Sequence, residues 1–136
     1  MKKRWLWWIL AGLFFIGFYH FTASPLSNDA HTLKIIAKLK HLSPIDIQLL
    51  DKIIRKLAHL VSYGVLALIV KNALHPYRWA YPGAWLTATL YGASDEYHQI
   101  FVPGRTPLFT DVMIDSLGAF LFLSVLYLIN LNKKKA

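Results

Sequence analysis

Long apolar runs alternate with polar segments along this chain, and the pattern occurs four times. The apolar runs fall within residues 1–23, 57–70, 79–94 and 110–131, and residues 24–56 form the longest polar segment. About 20 apolar residues in a helix cross the roughly 30 Å hydrocarbon core of a bilayer. We therefore predict an all-α fold, an integral membrane bundle of four transmembrane helices, as a single domain over residues 1–136.

The second apolar run is short, but its helix is predicted to begin well before it. Ser43 suits an N-cap, Pro44 suits the first turn, and Asp46 follows three residues after the serine. Apolar residues continue from Ile45 at helical spacing. We expect this helix to start outside the hydrocarbon and to enter it near residue 57.

The first apolar run has two interpretations. A basic head (residues 2–4) and small residues after the run (22–24) are also found in cleavable signal peptides. The length of the run and its bulky aromatic residues favour an uncleaved membrane anchor. We interpret it as the first transmembrane helix.

A polar stripe in the segment after the first run predicts a short amphipathic helix. His31, Lys34, Lys38 and His41 fall on one side of a helix, and isoleucine and leucine residues occupy the other. Such a helix lies on anionic lipid headgroups or presents an ordinary solvated face to water. The sequence leaves both alternatives open.

Composition narrows the classes of function. Of the 136 residues, 56% are hydrophobic and none is cysteine, so disulfides, thiolate metal sites and cysteine nucleophiles are excluded. The formal net charge is +8. Because the basic residues adjoin membrane spans rather than a soluble face, we expect no nucleic-acid partner.

The distribution of lysine and arginine predicts the orientation. With both termini in the cytoplasm, the cytoplasmic segments hold eight basic residues and the opposite side holds seven. The clusters next to the first and last spans strengthen this difference under the positive-inside rule. We predict a multi-pass protein of the bacterial cell membrane with both termini cytoplasmic.

In this orientation the charged residues of three distant segments meet on the extracytoplasmic side. Ionisable residues just inside a membrane usually face the bundle interior and find partners there. The candidate site residues are Lys56, His59, Tyr63, Asp95, Glu96, Gln99, Arg105, Asp111 and Asp115.

Two kinds of chemistry suit this set. Glu96 and His59, with Asp95 beside them, are candidate catalytic acid and base residues. Lys56 and Arg105 are suited to an anionic headgroup or a pyrophosphate. Tyr63, Gln99, Asp111 and Asp115 complete the candidate substrate-binding set.

Other interpretations of the same residues remain open. The charges could neutralise one another as a structural clasp that holds three helices together. A metal site built from His59, His98 and carboxylates lacks a supporting spacing, so we expect no metal, and the sequence indicates no particular cofactor. A transporter needs polar residues at the membrane midplane, where the third span offers only Thr87 and Thr89.

Four stretches of the sequence, in order, resemble the VanZ-like family. They are Arg55-Lys56-Leu57-Ala58-His59 with Tyr63, Ser94-Asp95-Glu96-Tyr97-His98-Gln99, Phe101-Val102-Pro103-Gly104-Arg105, and Asp111 to Gly118. The resemblance covers about residues 49–122. Two positions depart from the commonest family forms: Asp115 stands where many members have asparagine, and Ser62 where an acid is frequent.

The resemblance implies a small bacterial integral membrane protein. The founding member of the family is associated with low-level resistance to the glycopeptide teicoplanin. The expected partners are therefore the lipid bilayer and an anionic lipid or lipid-linked cell-wall precursor, bound or modified in the polar pocket. The alternative is a non-enzymatic membrane protein whose charged cluster is a structural clasp or a partner-binding site.

Overall fold

The computed structural model describes residues 4–24, 29–38, 43–103, 105 and 107–135, and within these ranges it contains five α-helices and no strand. The helices are α1 (Arg4–Thr22), α2 (Asp29–Ile36), α3 (Pro44–Leu74), α4 (Ala80–Gln99) and α5 (Phe109–Lys135). The prediction of an all-α fold is confirmed.

Three of the helices, α1, α3 and α5, are long and apolar enough to cross a membrane. Within the described part of the chain, α4 does not meet the same criteria of length and hydropathy. Threonine, glycine and the acidic residues near its end lower its mean hydropathy. The prediction of a helical, multi-pass membrane protein is confirmed, whereas the fourth span stays a prediction.

Hydrogen bonds between distant residues show how the helices run. Arg4 at the start of α1 donates to the carbonyl of Ala73 near the end of α3, with Nε and O 3.4 Å apart. Thr22 at the end of α1 donates to Asp95 near the end of α4, over 2.7 Å. These bonds make α1 antiparallel to α3 and parallel to α4. Asn130 near the end of α5 donates to Tyr81 at the start of α4, so these two helices are antiparallel, and the bundle has two distinct ends.

We name the two ends by their charges. The acidic end comprises the end of α1, the first half of α3, the last turn of α4 and the start of α5, and it carries Asp46, Asp51, Asp95, Glu96, Asp111 and Asp115. The basic end comprises the opposite termini of these helices and carries Arg4, Lys71, Arg78 and Lys133.

Small residues let the helices approach closely in the core. Ala67, Ala84, Ala88 and Ala119 are fully buried. A Cβ added at Gly118 on α5 would overlap the backbone carbonyl of Leu60 on α3. Because lipid provides no hydrophobic drive for helix association, close van der Waals packing of this kind holds membrane helices together.

The capping box predicted at the start of α3 is confirmed. The Ser43 Oγ accepts a hydrogen bond from the Asp46 backbone N–H over 3.2 Å, and an Asp46 carboxylate oxygen accepts from the Ser43 N–H over 3.3 Å. Two backbone donors of the first turn are thus satisfied, which fixes where the helix begins.

Two helices extend past the apolar runs from which they were predicted. The run at residues 57–70 ends before α3, which continues through Lys71 to Leu74. The run at residues 79–94 ends before α4, which continues to Gln99. Asp95, Glu96 and Gln99 therefore lie on a helix.

Several predictions lie outside the described residues. These concern residues 2 and 3 of the basic head, His41 and Gly104, together with the His31 side chain. The helix α2 packs against α3 and buries Ile36. Its predicted polar stripe and its lipid contact stay predictions.

Candidate functional site

A polar cavity of about 420 Å³ opens at the acidic end, between α3, the last turn of α4 and the start of α5. Its walls are formed by Lys52, Arg55, Lys56, His59, Gln99, Arg105, Leu108, Asp111 and Ile114. Five of the nine predicted site residues line it: Lys56, His59, Gln99, Arg105 and Asp111.

One face of α3 supplies most of the positive charge. Lys52, Arg55, Lys56 and His59 follow one another at helical spacing, so their side chains point to the same side. We predicted only Lys56 and His59 as site residues. The spacing of Lys52 and Arg55 was the signal that could have added them.

Two charged pairs join α3 to α5. Lys56 Nζ lies 3.1 Å from Asp111 Oδ1, and both side chains remain partly exposed to the cavity. His59 Nδ1 lies 3.1 Å from Asp115 Oδ1, and the Asp115 side chain is fully buried. An exposed pair stabilises a protein by only about 0–1 kcal/mol. Removing one partner of a buried pair costs more, because the other partner is left buried without compensation.

Glu96 lies behind the cavity in a buried position. Its Oε2 accepts a hydrogen bond from the backbone N–H of Leu108 over 3.0 Å, while Oε1 has no hydrogen-bond partner among the described residues.

Asp95 joins α4 to α1 and does not line the cavity. Its Oδ1 accepts from Thr22 of α1 over 2.7 Å, and its Oδ2 accepts from Gln99 over 2.9 Å. Gln99 does line the cavity, so Asp95 is placed to orient it. Sequence reasoning missed Thr22, because a threonine at the end of an apolar run gives no signal.

Tyr63 lies one turn below His59 and is fully buried. Its ring packs edge-on against Phe18 of α1, with centroids 5.5 Å apart, and nearly parallel to the His59 ring at 6.0 Å. Tyr63 and Asp115 therefore support the His59 ring from behind rather than line the cavity.

The described residues contain no group of three or more His, Asp or Glu side chains arranged to hold a metal ion. The cavity wall carries four permanently charged cations, of which Lys56 pairs with Asp111 in the same wall and Arg55 pairs with Asp51 one turn earlier on α3. Asp111 is the one carboxylate among the described residues that line the cavity. Together with the Gln99 amide, this set is suited to an anion that carries several oxygen acceptors.

Comparison with known proteins agrees with the resemblance. The family model described as VanZ/LLP1 matches residues 5–130, which is nearly the whole chain. No curated protein and no solved structure gives a significant match. The match includes α1, the cavity and all nine predicted site residues. The chain belongs to the VanZ-like family.

Proposed function

We propose that the cavity binds the phosphate-bearing headgroup of an anionic lipid or lipid-linked cell-wall precursor, and that the protein acts on the bacterial cell envelope. The excess of cations over carboxylates in the cavity walls supports this proposal most directly. Lys52 contributes to this excess of positive charge because its side chain is exposed and forms no ion pair among the described residues. An anion with several oxygens would meet more than one donor at once.

The proposal includes α4 as a fourth membrane span. This helix runs antiparallel to α3 and α5 and packs against both. It exposes Leu86 and Leu90 on its outer side, as the lipid-facing helices expose leucine and isoleucine. Four crossings bring both termini to the same side, and the positive-inside rule places them in the cytoplasm. The cavity then opens on the extracytoplasmic side, where cell-wall precursors are used.

If the bound molecule is also modified, the geometry suggests how protons would move. With Asp115 ionised, the His59 Nδ1–H donates to it, and Nε2 is the nitrogen able to accept a proton. Glu96, which is buried and has one unpartnered oxygen, is the candidate proton donor. Asp95 acts as a positioning residue through Gln99 in this scheme.

Ligand binding by the purified full-length protein tests the proposal. The probe is a polyprenyl phosphate, and the same polyprenol without the phosphate is the ligand control. We expect the phosphate to bind and Lys56→Gln to weaken binding about tenfold, because one charge-assisted contact is lost. Lys56→Arg should weaken it less. Lys34→Gln, which removes an exposed cation of α2, is the matched control. Equal affinity for the phosphate and the alcohol would contradict the proposal.

Teicoplanin susceptibility tests the narrower idea that this protein confers low-level resistance. Cells that express wild type or Glu96→Gln at matched membrane levels are compared with cells without the protein. Protection by wild type that is lost in Glu96→Gln would support a resistance function that depends on the cavity. Absence of protection by wild type would contradict it, whatever the binding result.

A structural clasp is the second candidate, and the two pairs between α3 and α5 favour it. The same variants separate the two functions. If Lys56→Gln lowers the unfolding temperature strongly while no phosphate ligand binds to wild type, the charges serve helix association. If Lys56→Gln folds normally and only ligand binding falls, the cavity is a binding site.

A further inference from the structure

A second polar cavity lies at the basic end of the bundle, far from the site described above. It has a volume of about 660 Å³ and is lined by the last turns of α3 and α5 and the start of α4. Lys71, Arg78 and Lys133 contribute its charge, and His75, Asn130 and Tyr81 contribute further polar groups.

This cavity has cations but no carboxylate to neutralise them. The sequence contains no acidic residue between Asp51 and Asp95 and none after Asp115. Every ion pair found among the described residues is at the acidic end. The cations that line the basic cavity therefore lack an anionic partner within the described protein.

Lys71 shows most clearly that the cations of this cavity need an anionic partner. Its side chain is largely buried, with 8% of the residue exposed, and its Nζ lies 5.1 Å from the centre of the Tyr81 ring. The Tyr81 hydroxyl in turn accepts a hydrogen bond from Asn130 over 3.1 Å. A contact with an aromatic face offsets only part of the cost of burying an ammonium group, and an anion in the cavity would offset more.

An apolar groove continues from this cavity along the outside of the bundle. The groove, of about 630 Å³, lies between α4 and α5 and is lined by Pro82, Trp85, Phe120, Leu123 and Leu128, among others. Arg78, Tyr81 and Tyr127 line both the groove and the basic cavity. A charged compartment therefore adjoins an apolar one, with these three residues at their boundary.

We propose that this composite pocket binds an anionic phospholipid, with its phosphate among Lys71, Arg78 and Lys133 and one acyl chain in the groove between α4 and α5. Charge complementarity identifies the headgroup, and continuity with the groove identifies the chain. A soluble phosphate would use only the first compartment. The site shares no residue with the cavity at the acidic end, so this inference does not depend on the proposed function.

Thermal unfolding of the purified full-length protein in a non-ionic detergent tests this site. Phosphatidylglycerol, phosphatidylcholine and glycerol phosphate are titrated separately. We expect phosphatidylglycerol to raise the unfolding temperature at lower concentration than phosphatidylcholine, and glycerol phosphate to have little effect. Phosphatidylglycerol that copurifies with the protein, measured by mass spectrometry, is the second measurement.

Two variants address the two compartments. Arg78 is exposed, so Arg78→Gln should fold, and it should weaken phosphatidylglycerol binding about fivefold. Ser124→Trp fills the groove and should weaken binding of the lipid as well. Lys34→Gln should leave binding unchanged.

Three results would overturn the inference. The first is equal stabilisation by phosphatidylglycerol and phosphatidylcholine, because the cations would then have no role. The second is equal binding by glycerol phosphate and the lipid, which would assign the cavity to a soluble anion. The third is unchanged lipid binding and unchanged copurified lipid in both Arg78→Gln and Ser124→Trp.

Discussion

Among the contacts between individual residues, the one between His59 and Asp115 is the most informative. The carboxylate is completely buried, and a Cβ added at Gly92 would lie 2.9 Å from its Oδ2, so α4 presses against it from the other side. An asparagine would fit the same position, because its side-chain oxygen can also accept the hydrogen bond from His59.

Replacing Asp115 separates the role of its hydrogen bond from the role of its charge. We expect Asp115→Asn to change the free energy of unfolding by less than about 1 kcal/mol, since its carbonyl oxygen still accepts from His59. Asp115→Leu should cost about 1–3 kcal/mol, because the buried imidazole loses its partner. Thermal unfolding in detergent measures both. Equal losses would mean that the charge of Asp115, rather than its hydrogen bond, stabilises the bundle.

Helical spacing identified the side chains that share a helix face, but not those that meet across helices. Lys56 and His59 were predictable because they lie on one turn of a strongly patterned helix. Thr22 was not, because its partner Asp95 is 73 residues away and an apolar helix contains nothing to mark its end as a contact point. Only the packing of α1 against α4 could reveal that pair.

At the scale of elements, the association of α3 with α5 organises the bundle. The two helices approach so closely at Gly118 that its neighbour is the backbone of Leu60 rather than a side chain. The charged pairs of the candidate site span the same interface one and two turns away. The close approach therefore sets the distance at which Lys56 and His59 meet their carboxylates.

Adding one methyl group at this crossing tests that dependence. We expect Gly118→Ala to destabilise the protein by about 1–3 kcal/mol, because the backbone of α3 cannot move aside locally. Gly12→Ala is the matched control, since nothing lies within 4 Å of a Cβ at that position. It should be neutral or slightly stabilising because alanine favours a helix. A similar effect of both variants on the unfolding temperature would refute the proposed close packing.

The type of each element was predictable from the sequence. The residue at which an element begins or ends was predictable only where nearby side chains cap the helix. The start of α3 was correct because Ser43 and Asp46 cap it through their own side chains. The end of α4 was misjudged because Asp95 and Glu96 are charged residues that usually leave the membrane. Here a hydrogen bond from Thr22 and one from Leu108 keep them buried within the last helical turn.

The molecule as a whole separates its charges along its length. Acidic residues occur at one end only of the described bundle, whereas basic residues occur at both. The positive-inside rule favours a cytoplasmic position for the basic end by only one lysine or arginine residue. The predicted orientation therefore depends on the basic clusters next to the first and last spans.

The absence of cysteine allows this orientation to be measured directly. Gln48→Cys places a thiol on an exposed position at the acidic end, and His75→Cys places one at the basic end. With a membrane-impermeant maleimide, we expect position 48 to be labelled in intact cells and position 75 only after permeabilisation. The reverse pattern would put the candidate site in the cytoplasm and remove cell-wall precursors from its possible ligands.

The hydrogen bond between Thr22 and Asp95 has a consequence for how this sequence can evolve. Both residues are almost completely buried, so a change at position 22 removes the donor to a buried Asp95 oxygen, and a change at position 95 leaves the Thr22 hydroxyl with the Tyr19 carbonyl in place of the Asp95 carboxylate. Such a loss costs about 1–3 kcal/mol, which is a large part of the stability of a small protein. Related sequences should therefore exchange positions 22 and 95 together, and hybrids that join the first helix of one relative to the remainder of another should fail unless this pair is kept matched.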